Sequence, residues 1–166
     1  MKTHYIVFSG PLAVGVHAGT ITQSRRVATS ARCPYGGAGD RLVVRETWRP
    51  DCRGNPGESD VRGIHYKADD SYEPRPRADM LTIEGRIDSP WRSPRFMPAF
   101  ASRTLLQLVD VVREKLHAID GNGARACGVG SVEEYSDLWD RLNRDRGWPW
   151  SSDPWVWGLD FRKVAP

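Results

Sequence analysis

The sequence predicts an α+β fold in which short strands and a few helices alternate, and three observations carry that reading. Trp155-Val156-Trp157-Gly158-Leu159-Asp160-Phe161 has period two and reads as a strand, with Trp155, Trp157, Leu159 and Phe161 on one side. Val132 to Arg146 has period 3.6 and reads as a helix, with Val132, Tyr135, Leu138, Trp139 and Leu142 sharing a face. Tyr5-Ile6-Val7-Phe8 and Leu42-Val43-Val44 are short apolar runs bounded by turn residues, the mark of further strands.

Taken in order, the first strand is followed by Gly10-Pro11, which opens a short helix because proline suits the first helical position. Gly19 is placed to stop that helix. Thr22 to Arg26 therefore falls on a loop or a strand start. Gly39-Asp40 launches Leu42-Val43-Val44. Residues 49 to 90 are rich in Pro, Gly, Asp and Arg and poor in apolar periodicity. They read as a loop-rich, solvated insertion within a single domain of residues 1 to 166. Ile64-His65-Tyr66-Lys67 and Leu81-Thr82-Ile83 are candidate short strands inside it. Arg103 to Leu116 is ambiguous: Leu105, Leu106, Val109, Val112 and Leu116 fit a helical stripe, whereas Val109, Val111 and Val112 favour a strand. Ser131 and Glu134 have capping-box spacing before the C-terminal helix, and Gly147 and Pro149 end it.

A chain of 166 residues is long enough to bury a core. Its net charge of +3 is mildly basic, so any charge that holds nucleic acid must be focused rather than spread. Cys33, Cys52 and Cys127 are odd in number and irregular in spacing, as expected of a reduced protein without a Cys-x-x-Cys zinc site. His4, His17, His65 and His117 have no partners at metal-ligand spacing. No metal and no cofactor are expected, and there is no P-loop or Rossmann fingerprint. The N-terminus has no long apolar run and no stretch suits a membrane helix, so the expectation is a cytoplasmic protein without a membrane partner.

Three polar runs stand out as candidate ligand sites. Thr22, Ser24, Arg25 and Arg26 combine hydroxyls with arginine forks that fit phosphate or a base edge, or else form a polar strand start. Arg45, Glu46, Thr47 and Trp48 offer an arginine, a carboxylate and a stacking ring. The same residues also suit a structural Arg–Glu pair capped by a core tryptophan. Ser102 and Arg103 form the third piece, with a surface salt bridge as the alternative for Arg103. Trp155, Trp157 and Trp139 read as core. Trp148 and Trp150 read as more open.

These runs also carry a resemblance. Phe8 to Pro11, Gly19 to Arg26, Gly39 to Trp48, Met97 to Arg103, Ala126 to Ser131 and Asn143 to Phe161 resemble a phage or prophage member of the ASCH-domain family, within the PUA-like superfamily. The resemblance implies a small β-barrel with flanking helices. It also implies a cleft that binds RNA or a modified nucleoside or nucleotide, and it resolves Arg103 to Leu116 as a long strand. One branch of the family is similar to an N4-acetylcytidine amidohydrolase with a Gly-x-Lys-Thr-x-Thr motif. On that motif Gly19 and Thr22 match, Ser24 takes the place of the nucleophile, and the lysine falls on Ile21. The later glutamate falls near Cys127.

Without a base a serine hydroxyl is a poor nucleophile, and arginine does not act as one near neutral pH. His17 and Glu46 are the remaining base candidates. The favoured expectation is an RNA- or nucleotide-binding protein using Thr22, Ser24, Arg25, Arg26, Arg45, Glu46, Trp48, Ser102 and Arg103. The alternatives are a hydrolase with Ser24 and Glu46 as catalytic candidates, either ribonuclease or amidohydrolase-like, and a phage accessory module that binds proteins.

Overall fold

The computed structural model describes residues 1–52, 61–74 and 90–165. Along them run β1 (Thr3–Val7), α1 (Pro11–Ala18), β2 (Gln23–Val27), β3 (Arg41–Arg45), β4 (Trp48–Cys52), β5 (Val61–Tyr66) and β6 (Ser71–Pro74). They continue with β7 (Leu105–Lys115), α2 (Gly121–Ala126), α3 (Val132–Asn143) and β8 (Trp155–Val164), with short 3-10 turns between. The expected α+β alternation is present.

Five strands form one sheet in the order β1-β3-β7-β8-β2, and three form another in the order β4-β5-β6. The described strands leave both sheets open, so the closed barrel implied by the resemblance is not formed by their pairing. The ambiguous stretch after Arg103 is β7, antiparallel to β8 from Leu105 opposite Val164 to Lys115 opposite Trp155, with a register shift between Leu108 and Asp110.

The sheet β4-β5-β6 lies in the stretch that reads as loop. β5 matches the expected strand near Ile64. β4 contains Pro50, which an edge strand tolerates. β6 is only Ser71-Tyr72-Glu73-Pro74, with too little apolar pattern to announce itself. The Leu81 to Ile83 expectation lies outside the described residues.

Backbone contacts divide the chain into two units. One comprises Met1–Tyr5, Gly15–Leu42 and Thr104–Pro166; the other comprises Ile6–Val14 and Val43–Arg103. In the first, a core of Leu116, Ile119, Ala124, Cys127, Tyr135, Trp139 and Val156 joins α2 and α3 to β8. The α3 cap forms as its spacing implies: Ser131 Oγ accepts from Glu134 N at 3.2 Å, and Glu134 accepts from Gly130 N at 2.7 Å. A 3-10 turn, Arg144–Arg146, follows α3, and Gly147 takes φ +85° after it. Leu142, expected on the apolar face, is 44% exposed. In the second unit, Trp48, Ile64, Tyr66, Met97 and Ala101 form a separate core.

The C-terminal strand departs from its expected pattern. Val156, Trp157, Leu159 and Phe161 are all buried, so β8 is covered on both faces in its middle. Trp155, expected in the core, lies at the strand's end and is 44% exposed.

Candidate functional site

β2 lies beside β8 with Gln23 opposite Asp160, Ser24 opposite Leu159, Arg25 opposite Gly158 and Arg26 opposite Trp157. Side chains alternate along a strand, so Gln23 and Arg25 share one face while Ser24 and Arg26 share the other. The run that reads as one polar cluster is thus divided by the sheet.

Arg25 is buried. Its Nη2 pairs with Glu114 Oε1 at 3.0 Å, and its Nη1 donates to Gln23 Oε1 and to Cys127 Sγ at 3.7 Å. Gln23 Nε2 in turn donates to Asp160 Oδ1 at 2.6 Å. Asp160, Gln23, Arg25 and Glu114 are therefore linked across three strands. Two glycines make room for the linkage. A Cβ at Gly158 would lie 3.0 Å from Glu114 Oε1, and one at Gly123 would lie 3.3 Å from Arg25 Nη2. Arg25 is committed to carboxylate, amide and thiol, and holds this face of the sheet together.

On the opposite face, Arg26 is half-buried and level with Trp157, and β7 places Arg113 opposite Trp157 on the other side. Burial pushes the Arg26 guanidinium below its usual pKa, against the opposing influence of Tyr35 and Tyr135. An arginine so placed still carries its charge near neutral pH. Ser24 is half-buried on the same face. Thr22 is exposed, and its backbone is tied down: its N–H donates to Ala126 O, and its carbonyl accepts from Phe161 N, each at 2.9 Å.

Ile21, where the amidohydrolase motif has lysine, is 7% exposed. It is wedged between two glycines: a Cβ at Gly15 would come within 2.6 Å of Ile21 Cδ1, and one at Gly128 within 2.8 Å. The position is an apolar plug. Cys127, near where the motif's glutamate falls, is buried in the α2–α3 core. Burial raises its thiol to about 11 against the opposing pull of Arg25, so it is neutral near pH 7. Burial also pushes the Tyr135 phenol up. His17, one of the two remaining base candidates, has Nδ1 within 2.8 Å of Thr104 Oγ1.

The other base candidate, Glu46, lies in the second unit. It is 1% exposed and forked onto Arg103, with Nε to Oε1 at 2.8 Å and Nη2 to Oε2 at 2.9 Å. Arg103 Nη1 also donates to Asp69 Oδ2 at 2.8 Å and to Ser71 Oγ at 2.6 Å, and the guanidinium stacks 4.3 Å over the Tyr66 ring. Desolvation acts to lower the Arg103 pKa, but Glu46 and Asp69 outweigh it and raise it. Desolvation likewise acts to raise the Asp69 carboxyl, and the Arg103 and Ser71 hydrogen bonds hold it down at about 2.

Glu46 therefore orients an arginine, and Arg103 is the arginine it orients. Both groups are engaged with each other in the interior. The Arg103 pair is buried, with 2% of each side chain exposed, so it is no surface salt bridge. Trp48, at 1% exposure, lies in the core. Arg45 Nη1 donates to Arg95 O at 3.3 Å, and Ser102 Oγ donates to Val44 O at 2.7 Å, so both brace backbone.

Gln23, Glu114, Asp69 and Ser71 were missed by sequence reasoning. Glu114 was hidden between Arg113 and Lys115 in a strand whose face was undecided. Asp69 and Ser71 lie in the stretch that reads as insertion. Among the described residues no three His, Cys, Asp or Glu side chains are gathered where a metal ion could be held, and no helix is long and apolar enough to cross a membrane.

No family model matches the chain, and no curated protein does. Solved structures do. An ASCH domain from Lactobacillus crispatus JV V101 aligns over 98% of this chain and 79% of its own at 10% identity, with a TM-score of 0.51. The fold is ASCH-like. A DUF984 protein from Enterococcus faecalis V583 aligns over 99% of this chain and 80% of its own at 9% identity, with a TM-score of 0.50. At such identities the likeness concerns the ASCH-like fold alone.

Proposed function

We propose that this chain is an ASCH-type protein, of the phage or prophage kind, that binds RNA or a nucleotide-like ligand without hydrolysing it. The cytoplasm is its proposed place of action. The reading rests chiefly on β2, which in an ASCH-like fold puts Ser24 and Arg26 on one sheet face, with Trp157 and Arg113 level with Arg26. Hydroxyls and arginine side chains on one sheet face are what a phosphate or base edge needs. Thr22, exposed just before the strand, adds a hydroxyl donor.

The hydrolytic reading finds less support. Ile21 supplies no base, Glu46 is held by Arg103, and the Cys127 thiol is buried and neutral. Arg25 and Arg103 act as structural cations that keep the surrounding backbone in place. The proposal is tested by incubating labelled single-stranded RNA with the protein in EDTA. Intact, retained RNA supports it; shortened RNA makes the chain a nuclease.

A further inference from the structure

Trp155 is 44% exposed, although Val156 and Trp157 beside it are buried. It is not a stray ring. Arg113 Cζ stands 4.8 Å from its centroid and Lys115 Nζ 5.3 Å, both from the neighbouring strand β7. The alternation of β7 sorts its charges: Arg113 and Lys115 stand on the side of Trp155, while Glu114 turns to the other face and is spent on Arg25. The carboxylate of Asp153, two residues before the ring, accepts from His117 N at 2.8 Å, while its backbone carbonyl takes the Lys115 ammonium at 2.9 Å. What faces solvent is a half-exposed indole with two exposed cations standing over its ring.

We propose that Trp155, Arg113 and Lys115 form a stacking platform for single-stranded nucleic acid, with the solvent-exposed part of the indole that the cations leave uncovered taking a base and the cations taking the flanking phosphates. A flat aromatic face beside cations suits that polymer because every base has a π-face and every linkage a negative charge. Cation–π contacts hold the indole in place before the ligand arrives, which lowers the ordering cost of binding. The platform rests on the RNA-binding reading and extends it to a surface whose Trp155 the sequence pattern had assigned to the core.

The test measures fluorescence anisotropy of a short labelled oligouridylate against wild type, Trp155→Leu, Trp155→Phe and Arg26→Ala, with an abasic strand of equal length as a second probe. Trp155→Leu weakens oligouridylate binding by about tenfold, within the range for loss of one stacked base, and Trp155→Phe keeps most of it. The abasic strand binds wild type and Trp155→Leu alike. Thermal midpoints of the Trp155 variants stay near wild type, because the ring is half exposed. Equal oligouridylate affinity of wild type and Trp155→Leu overturns the platform and leaves the binding reading standing. Wild type that binds neither strand overturns both. Loss in Trp155→Leu with none in Arg26→Ala supports the platform and removes Arg26 from the site.

Discussion

Glu114 on β7 reaches past β8 to Arg25 on β2, Oε1 to Nη2 at 3.0 Å, over the bare backbone of Gly158. The middle strand lacks a side chain at the one position where two polar side chains must meet above it. A Cβ there would stand 3.0 Å from the Glu114 carboxylate, a close approach that the glycine avoids. Glu114→Gln therefore lowers stability, by about 1–2 kcal/mol, since a hydrogen bond to a charged group is weakened but Glu114 keeps some contact with water. Urea unfolding midpoints measure it. A midpoint unchanged in Glu114→Gln would mean the bridge contributes nothing.

The Arg103–Glu46 pair is deeper and carries a larger consequence. Removing one member leaves an uncompensated buried charge, so Arg103→Ala is expected to cost about 3–5 kcal/mol. Arg103→Lys recovers only part of that, because an ammonium cannot fork onto Glu46 while also reaching Asp69 and stacking on Tyr66. Chemical denaturation of the two variants side by side decides it. Stability of Arg103→Lys equal to that of the wild type would contradict the geometry.

Acid should act through Asp69. Its carboxyl is held at about 2 in the folded protein against an ordinary 3.8. A depressed carboxylate contributes stability above its unfolded pKa and loses it as pH falls toward the folded value. The advantage of wild type over Asp69→Asn is thus present at neutral pH and shrinks between about pH 4 and 2, and after solvent screening it amounts to about 1 kcal/mol. Unfolding midpoints of both proteins across that range show the convergence or its absence.

Cys127 should be chemically silent. Its thiol is 5% exposed and raised to about 11, so little thiolate forms even in mild alkali. Iodoacetamide at mildly alkaline pH leaves Cys127 unmodified in the folded protein and alkylates it in urea, as peptide mass mapping reads directly. Rapid alkylation of the folded protein would show that the α2–α3 core opens at this point.

How much of this was legible beforehand depended on range. The cap of α3 is written in four adjacent residues, and the hydroxyl of Ser131 meets the N–H of Glu134 as the spacing implies. β7 was undecidable from its own pattern, because its valines satisfy both periods; only its pairing with β8 fixes it. The candidate site was less legible. Arg25 and Arg26 are adjacent in sequence but face opposite ways, and Arg25's partner Glu114 is distant in the chain. Glu46 and Arg103 were both singled out, but their mutual pairing depends on tertiary contact. Trp48 and Trp155 exchanged expected roles because alternation gives the face of a strand and not what covers its ends. Trp48 has Ile64, Tyr66 and Met97 around it, while Trp155 has the cations of β7 beside it and solvent beyond.

Binding of RNA through the Ser24–Arg26 face of β2, without cutting it, is the central claim for this ASCH-like chain. The most direct measurement is a salt titration of labelled single-stranded RNA binding in EDTA, for wild type, Arg26→Ala and the structural control Glu114→Gln. The RNA should stay intact, and Arg26→Ala should bind more weakly with a salt slope shallower by about 0.7, as for one lost phosphate contact on a single strand. Glu114→Gln should keep the wild-type slope. Shortened RNA, or an Arg26→Ala protein indistinguishable from wild type, would contradict it.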